Sequence, residues 1–171
     1  MTTNVLNAEA LLEKMQQELQ ALLSKNDKPD PLMIGIHTGG VWLAERLHQG
    51  LELESPLGVL DISFHRDDFE TSGLNPKVQP SKLPCTTEGR HVILVDDVIM
   101  SGRTIRAAMN ELFDYGRPAS ITLATLLDLQ QRELPIQADI IGGTLAISAD
   151  ETVKLTGPEP LALEIRNRSD D

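Results

Sequence analysis

The chain predicts an α/β fold: a mostly parallel open sheet flanked by helices, in one domain covering residues 1–171. Three observations carry that expectation. Val92-Ile93-Leu94-Val95 is apolar at every position, as a buried parallel strand is, and runs straight into Asp96-Asp97. Short apolar runs of this kind alternate with stretches of helical period, which is the pattern of strand, crossover helix and parallel strand. The 171 residues are 40% hydrophobic, enough for one proper core, and with only 3% aromatics that core must be Leu, Ile, Val and Ala.

Taken in order, Ala8 to Leu23 repeats Leu11, Leu12, Met15, Leu19, Leu22 and Leu23 at helical spacing, with Asn7 placed as the cap. Lys25 to Pro31 breaks that helix. Leu32 to Ile36 is a strand, His37-Thr38-Gly39-Gly40 a small-residue loop at its end, and Val41 to Leu51 a second helix. Gly58 to Phe64 is a third strand, leading into His65-Arg66-Asp67-Asp68. The irregular stretch from Glu70 to Gly89 is either a functional lid or a disordered insertion; a long structureless loop in a compact domain favours the lid. Past the acids, Thr104 to Tyr115 is helical and stops at Gly116-Arg117-Pro118. Ser120 to Leu127 is a strand ending at Asp128, and a turn from Arg132 leads into a short strand near Ile140. Val153 to Leu155 and Leu161 to Ile165 are closing strands, with Arg166 to Asp171 a frayed polar tail. No internal repeat or interdomain linker interrupts this order.

The chemistry concentrates around Val92 to Thr104. Open α/β sheets bind ligands at the carboxyl ends of their strands, which is where Asp96 and Asp97 fall. Alone, Asp-Asp is compatible with a solvated turn, and Ser-Gly-x-Thr with simple helix capping. In sequence they describe more. The carboxylates suit vicinal hydroxyls or a Mg²⁺ ion, while Ser101-Gly102-Arg103-Thr104 forms a turn opening a helix, which suits a phosphate. Together they read as a cradle for ribose 5-phosphate. Thr38, Gly39 and Gly40 make a second anion-binding geometry one strand-loop-helix unit earlier.

This order closely resembles the signature of type I phosphoribosyltransferases. Gly58-Val59-Leu60-Asp61-Ile62, His65-Arg66-Asp67-Asp68, the 92–104 stretch, Gly116-Arg117-Pro118-Ala119 and Arg132-Glu133-Leu134-Pro135-Ile136 narrow it further. With these, residues 8 to 156 resemble the bacterial pyrimidine operon regulatory proteins that are also uracil phosphoribosyltransferases. The resemblance implies a fold with a mobile loop at about 70–89 and a small hood. It implies transfer of phosphoribose from phosphoribosyl diphosphate to uracil, giving UMP and diphosphate, with Mg²⁺ as cofactor. It assigns Asp96 and Asp97 to the ribose and, through substrate, to the metal, and Val98, Ile99, Met100, Ser101, Gly102, Arg103 and Thr104 to the phosphoribosyl group. Arg66, Thr38, Gly39 and Gly40 go to the diphosphate, and Asp128, Leu129 and Gln130 to the base. UMP or UTP, an mRNA stem-loop and further copies of the chain are the implied partners.

Relatives in that family usually carry arginine where this chain has Gly39, and Arg-Gly-His where it has Leu129-Gln130-Gln131. Catalysis is therefore expected to be weak, because a charge-assisted bond to the leaving group is roughly twice a neutral one. Restoring arginine at position 39 is expected to raise turnover. Two alternatives stand beside the enzyme: a non-catalytic sensor of UMP or phosphoribosyl diphosphate, and a phosphoribosyltransferase for another base. Net charge is −11, from 26 acids against 15 bases, which weakens any RNA contact. Cys85 is the only cysteine, no apolar run reaches membrane length, and no signal-peptide pattern is present, so the expected location is the cytoplasm.

Overall fold

The computed structural model describes residues 6–25, 28–62 and 83–170. Arg66, its neighbours in the His65–Asp68 stretch, and the larger part of the expected lid lie outside these residues. Helix α1 (Ala8–Lys25) is followed by β1 (Leu32–Ile36), α2 (Gly39–Gly50) and β2 (Gly58–Leu60). Then come β3 (His91–Ile99), α3 (Arg103–Phe113), β4 (Ser120–Asp128) and β5 (Ile140–Thr144). The hairpin β6 (Glu151–Thr156) and β7 (Ala162–Asn167) closes the order. Five strands form one parallel sheet in the order β2-β1-β3-β4-β5, and the hairpin is a separate two-stranded antiparallel sheet.

The expected α/β architecture therefore holds, with four corrections. The strand expected over Gly58 to Phe64 ends at Leu60, where its pairing with β1 stops, and Asp61 and Ile62 lie outside it. Strand β3 does not end at Val95 but continues to Ile99, so both acids lie inside it; pairing with β4 persists through Val98 and Ile99 and keeps the chain extended. The glycine pair is not a loop ahead of α2 but its first residues. The C-terminal tail is not frayed from Arg166: Arg166 and Asn167 pair with Thr152 and Glu151, and a 3-10 turn follows at Arg168–Asp170.

Strand alternation divides the core in two. Met33, Ile93, Val95, Ala124 and Leu126 face α1 and α2, packing on Leu12, Met15, Leu19, Leu43 and Leu47. Leu32, Ile34, Val92, Leu94 and Leu123 join Ile105, Ala108 and Leu112 of α3 on the other face. Each fully buried aliphatic chain contributes about 1.5–3 kcal/mol of transfer free energy, so these layers dominate stability. The hairpin docks on the first layer through Leu155 and Leu161, beside Trp42 and Leu163. Asn7 caps α1 as expected, its Oδ1 accepting the Glu9 and Ala10 amides at 3.0 and 3.2 Å.

Close helix-to-sheet contact positions the site. A Cβ on Gly35 would stand 2.9 Å from both the Ala44 Cβ and the Gly40 carbonyl, so α2 lies nearly on the β1 backbone. A Cβ on Gly40 would be 2.6 Å from the Val95 carbonyl, bringing the start of α2 against β3 just before its acids.

Candidate active site

In the order β2-β1-β3-β4-β5 the chain turns outward in opposite directions after β1 and after β3. The crevice between the carboxyl ends of those two strands is the topological switch point, where open parallel sheets bind ligands. The start of α2 and the two acids flank it, and the 100–104 turn follows directly on β3.

Asp96 is buried at 6% exposure, and Asp97 is half-buried. Each carboxylate is steadied by its neighbour's backbone: the Asp97 amide donates to Asp96 Oδ1, and the Val98 amide to Asp97 Oδ1, both at 2.8 Å. Both carboxylates reach the start of α2: a Cβ on Gly40 would stand 3.4 Å from Asp96 Oδ1, as one on Gly39 would crowd Asp97. The Asp97 carboxylate fills the space that a side chain on Gly39 would need. Asp96 pairs in register with Thr125, whose buried hydroxyl has no hydrogen-bond partner among the described residues.

At the end of β1, the His37 amide donates to the Leu60 carbonyl at 2.9 Å, and the His37–Thr38 peptide is cis. The Thr38 hydroxyl lies 2.9 Å from His37 Nδ1. The Thr38 carbonyl accepts the Val41 and Trp42 amides at 3.2 and 3.4 Å, closing the first turn of α2. The Gly39 and Gly40 amides belong to the same turn, at the positive end of the helix dipole.

After β3 the chain passes through Met100 and Ser101 to Gly102, which takes φ +93° as the cap of α3. Ser101 Oγ accepts the Arg103 amide at 3.2 Å, and the Gly102 carbonyl accepts the Arg106 amide at 3.0 Å. The Arg103 guanidinium reaches Glu133 at 3.5 Å.

The base-side residues are held differently from one another. Asp128, only 5% exposed, accepts the Gln130 amide on Oδ1 at 2.7 Å and the Arg132 guanidinium on Oδ2 at 2.7 Å. Leu129 is a core side chain at 3% exposure, its amide donating to the Ile99 carbonyl at 3.0 Å. Gln130 is exposed, with φ +58°. A cavity of about 510 Å³ is lined here by Asp128, Gln130, Arg132, Leu134 and Ile136. The sequence expectations name neither Arg132 nor Ile136 as site residues, though both line this cavity. The Arg-Glu-Leu-Pro-Ile run was its visible signal, but nothing in that run reveals its contact with the 100–102 backbone.

The fold and these three substructures define a phosphoribosyltransferase. The model of the phosphoribosyl transferase domain family matches residues 1–160. Solved structures agree at the level of fold. A hypoxanthine-guanine phosphoribosyltransferase from Bacillus anthracis superposes with TM-score 0.67 at 20% identity, covering 88% of this chain and 86% of that one. A hypoxanthine phosphoribosyltransferase from Staphylococcus aureus gives 0.64 at 22%, covering 88% and 80%. Sequence relatives are far closer. The bifunctional protein PyrR of Pseudomonas syringae pv. tomato is 56% identical over 163 residues, 95% of this chain and 96% of its own. That of Pseudomonas paraeruginosa is 59% identical over 158 residues, 92% and 93% respectively. The chain belongs to the phosphoribosyl transferase domain family and, within it, to the bifunctional PyrR proteins.

Proposed function

We propose that this chain transfers phosphoribose from phosphoribosyl diphosphate to uracil, giving UMP and diphosphate, and regulates pyrimidine genes as its second function. The carrying observation is geometric: the first turn of α2, the acids of β3 and the turn opening α3 gather around one crevice. Asp97 and Asp96 hold the ribose hydroxyls and stabilise positive charge developing at C1 in a loose, oxocarbenium-like transition state. Residues Val98 to Thr104 hold the 5-phosphate, chiefly through backbone amides at the start of α3. Thr38, Gly39 and Gly40 offer amides to the departing diphosphate, and Arg66 is the cation assigned there. The cavity from Asp128 to Ile136 receives the base.

Two adjacent carboxylates fit Mg²⁺, which takes one or two carboxylates plus substrate oxygens, and the described residues hold no group of three or more candidate ligands. When bound, the ion neutralises charge on the leaving diphosphate. UMP or UTP acts as the regulatory ligand and an mRNA as its target; the −11 charge makes that contact weak and salt-sensitive. A homo-oligomer is supported by Phe113 and Tyr115 at the end of α3, exposed at 55% and 37%. No helix among the described residues is long and apolar enough to cross a membrane, and we assign the protein to the cytoplasm.

The test is formation of UMP from uracil and phosphoribosyl diphosphate with Mg²⁺, run beside hypoxanthine. UMP formation with uracil alone is expected; a product only with hypoxanthine would overturn the base assignment. A sensor without turnover is the second reading, favoured by Gly39, which stands where the sequence resemblance leads one to expect an arginine. Tight UMP binding with no product would establish it.

A further inference from the structure

Arg132 grips the phosphate turn from the base side. One arm of its guanidinium donates to the Met100 carbonyl at 2.8 Å, and another to Asp128 Oδ2 at 2.7 Å. Ser101 independently accepts the Glu133 and Leu134 amides at 3.0 and 3.1 Å. Gly102 completes the contact: a Cβ there would stand 3.3 Å from the Ile136 Cβ and 3.5 Å from the Arg132 Cδ. The wall of the base cavity is thus fastened to the end of β4 through Asp128 and to the phosphate turn through Met100 and Ser101. Asp128 is buried and both of its oxygens are engaged, so it serves as the anchor for this arrangement.

We propose that Arg132 is a positioning residue that sets the base-side wall against the phosphate turn, so that binding of the base depends on it while binding of the sugar phosphate does not. This deepens the uracil-transfer reading and rests on it. The asymmetry follows from what remains when Arg132 is altered. The phosphate turn loses one bond, at the Met100 carbonyl, but keeps its own α3 amides and both bonds to the Ser101 carbonyl, whereas the wall loses its side-chain link to β4. A planar fork satisfies two acceptors at once, and an ammonium at the same position cannot span them.

The test is Arg132→Lys, with thermal melting to establish that the variant folds. The KM for uracil is expected to rise about tenfold, the size of one lost charged hydrogen bond, while that for phosphoribosyl diphosphate stays within about threefold. Equal rises in both constants, or no change in either, would overturn the proposal. Calorimetry with UMP and ribose 5-phosphate gives a readout that needs no turnover. UMP weakened about tenfold with ribose 5-phosphate nearly unchanged supports the clamp even in a non-catalytic protein. Equal weakening of the two ligands overturns the clamp and leaves uracil transfer standing. Absence of UMP formation in the unaltered protein counts against uracil transfer alone. Should Arg132→Lys not fold, Asp128→Asn, which keeps an acceptor oxygen but removes the charge, is expected to show the same split.

Discussion

The Asp97 carboxylate occupies the place where Gly39 would carry its side chain. An ideal Cβ on Gly39 would lie 2.9 Å from Asp97 Cγ and closer still to Oδ2. This contact joins the turn we assign to diphosphate to the acid pair and changes what position 39 means. Arginine there was expected from sequence to raise turnover. In this backbone any side chain first displaces the carboxylate.

Gly39→Ala should therefore leave stability nearly unchanged, because relief comes from rotating the end of one side chain. Binding of phosphoribosyl diphosphate should fall about tenfold, the worth of one displaced charge-assisted contact. Melting temperature and calorimetry separate the two effects. Gly39→Arg should weaken binding as well; an increase in turnover with Asp97 unmoved would show that the crowding is harmless.

Much of the fold was legible because burial imposes period. The unbroken apolar 92–95 and β1 runs mark strands buried on both faces, and the stripe of α1 names its inner face through spacing alone. What escaped depends on tertiary pairing. Asp96 and Asp97 read as the end of a strand because charge normally stops one, yet pairing with β4 carries β3 on to Ile99. The hairpin's separation from the main sheet is likewise invisible, since its strands resemble short edge strands of any sheet. At the site, residue types were readable and contacts were not. Nothing local says that Gly39 makes room for Asp97 or that Asp128 is bound by Arg132.

Glu9 and Arg46 link the start of α1 to α2, with the guanidinium 2.6 Å from the carboxylate. The hydrogen bond from Arg46 holds the Glu9 carboxyl below its ordinary value of 4.5. A lowered carboxyl contributes stability above its unfolded value and loses it as pH falls through the folded one. Glu9→Gln should lower the melting temperature slightly at pH 7 and make no difference well below pH 4.5. Both side chains are more than 40% exposed, 42% and 44%, so screening limits the effect to less than about 1 kcal/mol. A gap that persists undiminished at low pH would separate the effect from ionisation.

Gly102 caps α3 at φ +93°, a conformation that L side chains rarely adopt. Gly102→Ala should cost about 1–2 kcal/mol in backbone strain. The added methyl would also press on Ile136 at 3.3 Å, so the phosphate turn and the base wall should loosen together. Denaturant unfolding measures the first effect. Weaker binding of both ribose 5-phosphate and UMP measures the second, which distinguishes this variant from Arg132→Lys.

The two acids should respond unequally to loss of charge. Both border the start of α2, but Asp97 is half-buried, whereas Asp96 is 6% exposed and aligned with Thr125. Asp97→Asn keeps an oxygen for the Val98 amide, so the strand should hold while the charge facing the crevice is lost. Affinity for phosphoribosyl diphosphate in Mg²⁺ should fall about tenfold to a hundredfold, from about 1.5–3 kcal/mol for a charged hydrogen bond. Without Mg²⁺ the loss should shrink, because the carboxylate then faces an uncompensated anion and its removal relieves repulsion. Calorimetry with and without the metal tests both statements. Equal affinity of the unaltered and substituted proteins in Mg²⁺ would remove Asp97 from the cradle and leave Asp96 to hold the ribose alone.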